Sequence, residues 1–400
     1  MSFLYEHEQQ RREVEELHRL AMDALREAQY ATMERLLERA AATAERLDDL
    51  PLLIEERSWL AEARRMQGKD AQALSTYTWL IGLATGPTQS QQLRDKDTLQ
   101  YLAQAFMNFT LCGYFLTLPL EQLLRVVSDG LDWLERVGQP NWAAGLRLRR
   151  GLFFKAQQRW QEARQEMEVA LALKRRHPEA PGYNLSGHLL QLADLLCQEQ
   201  VRAYAETISL AEEALVTANS NTYDYQWAYK VLAYAHLGLH EYKAALQAAQ
   251  QSFALSHSIQ VSVSITNAYQ VLGKIYRAAG RLSDAASAAA HQWRWALQVG
   301  RVDGINEMLI DCIRLRLLQT REACGLSLEN EELPAVLLAM SNWKLAQRRL
   351  ASARRLIQRA RPFASQFDQA SGNHSAQDEL AALDIQIDQL IALLVKNETH

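Results

Sequence analysis

Residues 268–296, AYQVLGKIYRAAGRLSDAASAAAHQWRWA, contain two amphipathic segments separated by a glycine. The first segment places its apolar and small residues on one helical stripe, at Tyr269, Leu272, Gly273 and Tyr276. The second segment does the same at Leu282, Ala285 and Ala289. This stretch therefore predicts two helices that turn at Gly280 and Arg281 and approach each other closely through small residues.

The same pattern recurs along most of the chain. Small residues fall at the corresponding place of the first helix in six successive segments, at Ala61, Ala105, Gly151, Ala193, Ala233 and Gly273. Their spacing is 40 to 46 residues, and a fixed period of this size is typical of helical repeat proteins.

These features resemble the tetratricopeptide repeat (TPR), whose first helix carries an aromatic residue, a Leu-Gly pair and a Tyr. The resemblance implies an all-α, right-handed superhelical solenoid of about nine antiparallel helix pairs with a C-terminal capping helix. The repeats are longer than the 34 residues of the minimal motif, and are similar to those of MalT-type and peptide-sensing bacterial regulators. We expect an N-terminal helical pair or cap over residues 1–50, a repeat array over 51–300, and irregular repeats with the capping helix over 301–400. In this last part, residues 324–332 have loop character and residues 334–360 fit a repeat. The capping helix is expected over residues 378–395, with the apolar stripe Leu380, Leu383, Ile387, Leu390 and Leu394.

Composition agrees with an all-helical protein. Gly (17) and Pro (8) are scarce and 48% of the residues are hydrophobic. The net charge of −4 predicts no overall attraction to nucleic acid or to an anionic membrane. The most apolar run, residues 106–120, is shorter than a membrane-spanning helix and contains Asn108, Gly113 and Pro119, so it predicts a buried helix. Pro119 is placed where it can open the following helix.

Four cysteines occur far apart, at Cys112, Cys197, Cys312 and Cys324. They show no CxxC spacing and mostly lie in apolar stripes, which favours a reduced compartment. The N-terminal residues show no secretory signal. We therefore expect a cytoplasmic protein.

No catalytic or cofactor motif is present. The sequence has no glycine-rich phosphate loop, no GxSxG and no HExxH. His236 and His240 are four residues apart, but His240 falls at a predicted turn, so we expect no metal site. The sequence predicts a protein that is not an enzyme and needs no cofactor.

The TPR resemblance implies that the first helix of each pair lines a concave groove. Carried over position by position, it selects cations, amides and aromatic residues at Trp59, Arg65, Arg149, Lys155, Gln191, Asp194, Trp227, Lys230, Tyr234, Asn267, Gln270, Lys274 and Arg277. Such a surface suits an extended peptide, because amides bind its backbone and cations bind its carboxylates. The alternative is a solvated inner face without a single ligand.

A basic patch is a second candidate site. Six of its cations are Lys344, Arg348, Arg349, Arg354, Arg355 and Arg359, and no acidic residue lies between them. Such a patch can bind the phosphates of RNA or DNA, or it can face an acidic part of a second copy.

Three functional hypotheses follow from these patterns. The first is a non-enzymatic scaffold that binds a partner protein or peptide in the groove, and the second is a regulator whose superhelix changes shape when a small ligand or peptide binds. Nucleic-acid binding through the basic patch is the third and least favoured. No membrane contact is expected, and self-association through the ends of the array stays open.

Overall fold

The structure, a computed structural model, describes residues 2–86, 95–198, 200–219, 221–259, 262–299, 302–323, 340–371 and 375–398. The described residues form helices and turns without a strand. Cys324 and the predicted loop at 324–332 lie outside these ranges. The chain divides into two compact units, residues 1–184 and 185–400. The threefold division expected from the sequence stays a prediction.

The first unit contains eight α-helices and one 3-10 helix among its described residues. They are α1 (Ser2–Arg26), α2 (Tyr30–Arg46), α3 (Leu50–Met66), α4 (Asp70–Thr85), α5 (Lys96–Phe115), α6 (Leu120–Arg136), the 3-10 helix (Pro140–Ala143), α7 (Ala144–Ala156) and α8 (Trp160–Arg176). Consecutive helices pack against each other, and α5 also touches α3 and α7.

The second unit contains nine described helices. They are α9 (Leu185–Leu196), α10 (Tyr204–Thr217), α11 (Thr222–Gly238), α12 (Tyr242–Ile259), α13 (Ser262–Ala278), α14 (Leu282–Val299), α15 (Val302–Ala323), α16 (Met340–Ser371) and α17 (Ser375–Glu398). Here α11 touches α9 and α13 as well as its own partner α12. Contacts between the first helices of successive pairs are what a helical repeat requires, because each pair must bury its apolar face against the next.

The turn predicted between residues 280 and 281 is confirmed. Helix α13 ends at Ala278, α14 begins at Leu282, and Gly280 has φ of 72°. A left-handed residue of this kind follows the end of several other helices, at Ala28, Asp48, Gly68, Thr117, Gly138, Gln158 and His240. The left-handed residue lets the backbone amides after a helix pair with its last carbonyls, and this turn therefore recurs through both units.

One of the predicted close approaches depends on glycine. A Cβ on Gly151 would lie 3.1 Å from the carbonyl oxygen of Ala163 and 2.7 Å from Cγ of Met167. Since α8 carries both atoms, α7 and α8 approach each other through this position. At Gly273 the nearest atom is Cβ of Ala288, at 3.7 Å, which is an ordinary contact.

Several other element predictions are confirmed. The apolar run at 106–120 begins as the buried part of α5, where Phe106 is 0% exposed, and Pro119 then precedes the first residue of α6. The final helix buries Leu380, Leu383, Ile387 and Leu390 of the predicted stripe, and the side chain of its fifth member, Leu394, lies outside the described ones. None of the described helices is long and apolar enough to cross a membrane. The repeat expected near residues 334–360 is a single long helix, α16, from residue 340 onward.

Candidate functional site

The first helices of the second unit, α9, α11, α13 and α15, carry a row of polar side chains that contact one another from helix to helix. We call this row the first-helix face. Eight of its members are Asp194, Trp227, Lys230, Tyr234, Gln270, Lys274, Arg277 and Asp311. All but Asp311 were selected from the sequence.

The row begins with an ion pair between α9 and α11. Lys230 Nζ lies 3.3 Å from Asp194 Oδ1, and both side chains are less than one fifth exposed. The same ammonium lies 5.7 Å from the centre of the Trp227 ring. Partial burial strengthens both interactions, because water screens the charges less there.

The middle of the row joins α11 to α13. The Tyr234 hydroxyl donates to Gln270 Oε1 at 3.4 Å, and Lys274 Nζ lies 5.3 Å from the centre of the Tyr234 ring. Gln270 is 7% exposed. It therefore positions Tyr234 and presents little surface of its own.

The row ends with an ion pair between α13 and α15. Arg277 Nη1 donates to Asp311 Oδ1 at 3.1 Å, and the two side chains are 19% and 12% exposed. Arg314 contributes a second cation, 3.9 Å from the same carboxylate oxygen. Each of the two acids of the row thus pairs with a cation on the neighbouring first helix.

Two amide side chains on this face have no hydrogen-bond partner among the described residues. They are Gln191 on α9 and Asn267 on α13, and both are half-buried. A half-buried amide keeps both a donor and an acceptor available. These two side chains therefore suit a peptide backbone, which offers the complementary groups.

The first unit has a different polar cluster, between α3 and α5. The Tyr101 hydroxyl donates to Glu55 Oε1 at 2.6 Å. Burial, and then the bond to Glu55, raise the pKa of Tyr101, so the hydroxyl stays protonated and remains a donor. Trp59 lies one turn after Glu55, and its ring stands edge-on to His18 of α1, 6.3 Å away between centres.

Further along α3, the Glu62 carboxylate accepts hydrogen bonds from several side chains. Its Oε2 accepts from Arg65 Nε at 2.9 Å, and more weakly from Tyr77 and Asn108 at 3.4 Å. The hydrogen bond to Glu62 raises the pKa of the Arg65 guanidinium, which therefore stays charged. Arg65 is thus held in place by Glu62 of the same helix.

Arg149 and Lys155 lie on α7 of the first unit. The guanidinium of Arg149 lies 5.2 Å from the centre of the Tyr183 ring, and Lys155 is in the last turn of the helix. No contact joins Arg149 to the α3–α5 cluster among the described residues.

In the described part of the basic patch, two arginines have a partner on another helix and three have none. Arg354 forms an ion pair with Asp388, and Arg349 donates to the backbone carbonyl of Gln319. Arg348, Arg355 and Arg359 are exposed. Lys344 lies in α16, but its side chain is outside the description.

No group of three or more His, Cys, Asp or Glu residues is arranged to bind a metal in the described part of the chain. His236 Nδ1 lies 2.6 Å from Glu241, whereas His240 Nδ1 lies 3.3 Å from the hydroxyl of Tyr242. The two imidazoles therefore have separate partners.

Sequence reasoning missed Asp311 as a member of the face and Tyr101 and Asn108 as members of the first cluster. A signal for them exists in their spacing. Tyr234 and Gln270 are 36 residues apart, Arg277 and Asp311 are 34 apart, and Glu62 and Asn108 are 46 apart. Polar residues about one repeat apart on successive first helices are thus candidates for direct contact.

No protein-family model and no curated protein matches the chain. Among solved structures, a Rap protein complexed with Competence and Sporulation Factor superposes with a TM-score of 0.51 at 15% identity, covering 98% of this chain and 99% of that one. The fold is TPR-like. A tetratricopeptide repeat protein from Parabacteroides merdae is also similar, with 18% identity, a TM-score of 0.46 and coverage of 71% and 93%. The apo form of RapI follows with 12% identity, a TM-score of 0.47 and coverage of 85% and 98%. In the second unit, the row from Asp194 to Asp311 lies on the alternate helices α9, α11, α13 and α15.

Proposed function

We propose that this chain is a non-enzymatic scaffold whose first-helix face binds an extended peptide segment of a partner protein. The contact row across α9, α11, α13 and α15 carries the proposal. It holds aromatic, amide and charged groups in fixed positions before any ligand arrives, so little ordering cost remains for binding.

The peptide backbone supplies the main recognition. Gln191 and Asn267 have both a donor and an acceptor to offer among otherwise paired neighbours, which matches the amides and carbonyls of an extended segment. The cations are less available, because Lys230 and Arg277 already contact Asp194 and Asp311. A ligand carboxylate has to replace one of these aspartates, so the face favours uncharged main-chain groups over acidic termini.

The experiment begins with selection of a binding peptide from a displayed random library on the immobilised chain. Its affinity is then measured by fluorescence polarisation for the parent chain and for Gln191→Ala/Asn267→Ala. We expect the double variant to bind at least about tenfold more weakly, since two hydrogen bonds at about 1 kcal/mol each are removed.

The matched control is Gln247→Ala/Gln251→Ala, which removes two exposed amides from the second helix α12. The control should bind like the parent. If both double variants bind equally well, or if no peptide is selected, the proposed face is wrong.

A regulatory role is a second candidate, and the two ion pairs of the row favour it. Each pair joins neighbouring first helices, α9 to α11 and α13 to α15. A ligand that replaces Asp194 or Asp311 removes such a connection and shifts the chain towards a different arrangement of helices. The related Rap structure contains Competence and Sporulation Factor, which supports a ligand-bound state for this chain by analogy of fold.

Small-angle scattering distinguishes the regulator from the plain scaffold. A regulator changes its radius of gyration when the selected peptide is added to saturation. Asp194→Asn, which weakens the connection without a ligand, should produce part of the same change. If the radius of gyration is the same with and without the peptide, the scaffold hypothesis remains and the regulator hypothesis is excluded for that ligand.

A further inference from the structure

The outward face of α16 carries an uncompensated row of arginines. We propose that this face binds the phosphate backbone of a nucleic acid without reading its sequence. The proposal concerns a different surface from the first-helix face and does not depend on it.

The orientation of α16 follows from its buried stripe. Ala346, Ala353, Ile357 and Ala360 are at most 2% exposed and pack in the core shared with α15 and α17. An α-helix turns by roughly 100° per residue, which places Arg348, Arg355 and Arg359 on the opposite side. All three are exposed, as this geometry requires.

Their neighbours on the same helix have different roles. Arg354 pairs with Asp388 and Arg361 Nη2 pairs with Asp384 Oδ2 at 3.0 Å, so both arginines fasten α16 to α17. Arg349 is turned towards α15, where it donates to the carbonyl of Gln319. These three guanidinium groups therefore stabilise the helix bundle.

The exposed three have no such partner among the described residues. The only acidic residue of 340–371 is Asp368, which is 2% exposed and accepts from the backbone amides of Ala376 and Gln377. The face thus presents three positive charges and no negative charge of its own.

Some exposed arginines on other helices are paired with an acidic residue of the same helix. On α1, Arg12 pairs with Glu8 and Arg19 pairs with Glu16. On α8, Arg159 pairs with Glu162 and Arg164 pairs with Glu168. The outward side of α16 has no such pair among the described residues.

The surroundings of the three arginines favour phosphate over a protein partner. Apart from the paired Arg354 and Arg361, the exposed residues between and beside them include the small or uncharged polar residues Gln347, Ala351, Gln358, Ser365 and Gln366. No large hydrophobic side chain is exposed on the described part of α16. Protein interfaces depend on apolar anchors at their centre, whereas nucleic-acid backbones are bound by cations and polar side chains alone.

The spacing also fits a backbone. At about 1.5 Å per residue, Arg355 and Arg359 are about 6 Å apart along the helix axis and Arg348 is about 10 Å further back. Phosphates advance by about 3.4 Å per nucleotide along one strand of duplex DNA. The row therefore spans about five phosphates, and arginine forms two parallel hydrogen bonds to each phosphate it reaches.

Fluorescence anisotropy with a labelled 20-base-pair DNA duplex tests the proposal. The dissociation constant is measured between 50 and 200 mM salt. Three phosphate contacts predict a slope of about −2.7 in a plot of log affinity against log salt, which corresponds to about a 40-fold loss over this range. A second duplex of unrelated sequence should bind with the same affinity.

Arg355→Gln/Arg359→Gln locates the surface. This double variant should reduce the slope to about −0.9, since each lost contact removes about 0.9. The matched control is Arg159→Gln/Arg164→Gln, which changes the net charge equally at two paired arginines of the first unit. The control should keep the parent's slope, and thermal unfolding should show both variants folded.

Several results would overturn the proposal. One is the absence of DNA binding by the parent chain at 50 mM salt. Another is an equal reduction of the salt slope in Arg159→Gln/Arg164→Gln, which would show an effect of net charge alone. A third is an unchanged slope in Arg355→Gln/Arg359→Gln. The last is competition in which poly-glutamate displaces the duplex at an equal concentration of charge, which would make the row a docking surface for acidic protein segments.

Discussion

The contact between His18 and Glu56 makes the stability of the first unit depend on pH. His18 Nδ1 lies 2.9 Å from Glu56 Oε1, and Glu56 is 1% exposed. The hydrogen bond to Glu56 raises the pKa of His18 against the effect of burial, and burial raises the pKa of Glu56. Both shifts mean that the folded chain holds a proton here more tightly than the unfolded chain does.

The sign of the pH effect follows from linkage. A raised pKa of His18 in the folded state contributes stability that is complete below the unfolded value and is lost as the pH rises through the folded one. Glu56 acts in the same direction. The free energy of unfolding should therefore fall from pH 6 to pH 9, by about 1–2 kcal/mol for a hydrogen bond to a charged group.

Glu56→Gln removes the carboxylate and should flatten this dependence, as measured by urea unfolding at both pH values. Glu179→Gln is the control, because Glu179 lies near His177 at an exposed position where the histidine is 30% exposed. A parent chain with equal stability at pH 6 and pH 9 would contradict the prediction.

At the scale of the helix, two glycines in equivalent positions of the repeat have opposite requirements. A Cβ on Gly151 meets the Ala163 carbonyl at 3.1 Å and Met167 at 2.7 Å, whereas a Cβ on Gly273 meets only Ala288 at 3.7 Å. Gly151→Ala should destabilise the first unit by about 1–3 kcal/mol, the cost of overpacking. Gly273→Ala should stabilise the second by up to about 1 kcal/mol, because alanine is the better helix former.

Thermal or urea unfolding of the two variants measures both effects, and each glycine serves as the other's control. A stabilising Gly151→Ala would show that α7 and α8 separate without cost. A strongly destabilising Gly273→Ala would show that the approach of α13 and α14 is tighter than 3.7 Å.

The helices themselves could be predicted from the sequence, but the contacts between them only in part. Periodic apolar stripes and small residues are local signals, which is why the turn at Gly280, the start of α6 after Pro119 and the stripe of the final helix agree with the structure. Whether Gly151 or Gly273 is indispensable depends on the side chain across the interface, and no local pattern contains that information.

The contacts of the first-helix face could likewise be predicted only in part. Its residues on α9, α11 and α13 follow from the position of a first helix in each repeat. The pairing of Arg277 with Asp311 does not, because the repeat register weakens after residue 300. The division of the basic patch into paired and exposed arginines also needed the structure, since it depends on where α17 places Asp384 and Asp388.

At the scale of the whole molecule, a buried thiol in the first unit and a half-buried thiol in the second report on each unit separately. Cys112 is in the first unit and Cys312 in the second. Burial raises the pKa of Cys112 to about 12 and that of Cys312 to about 11. Because the thiolate is the reactive species, iodoacetamide at pH 8 should label both at least about a hundredfold more slowly in the folded chain than in urea.

Mass spectrometry of the labelled peptides, over a series of urea concentrations, gives the opening of each unit independently. The fully unfolded chain provides the reference rate for each cysteine. Labelling of either thiol at that reference rate without urea would contradict its burial.

The internal pairing of charges on the first-helix face has a consequence for ionic strength. Lys230 and Arg277 carry their own counterions, Asp194 and Asp311, as part of the protein, so a neutral peptide releases few ions from solution when it binds. Its affinity should hardly change between dilute buffer and physiological salt. Arg348, Arg355 and Arg359 on α16 have no acidic partner among the described residues, so solution ions neutralise them and salt weakens their interactions steeply. If both proposals hold, raising the salt concentration weakens binding at these three arginines and leaves binding at the first-helix face nearly unchanged.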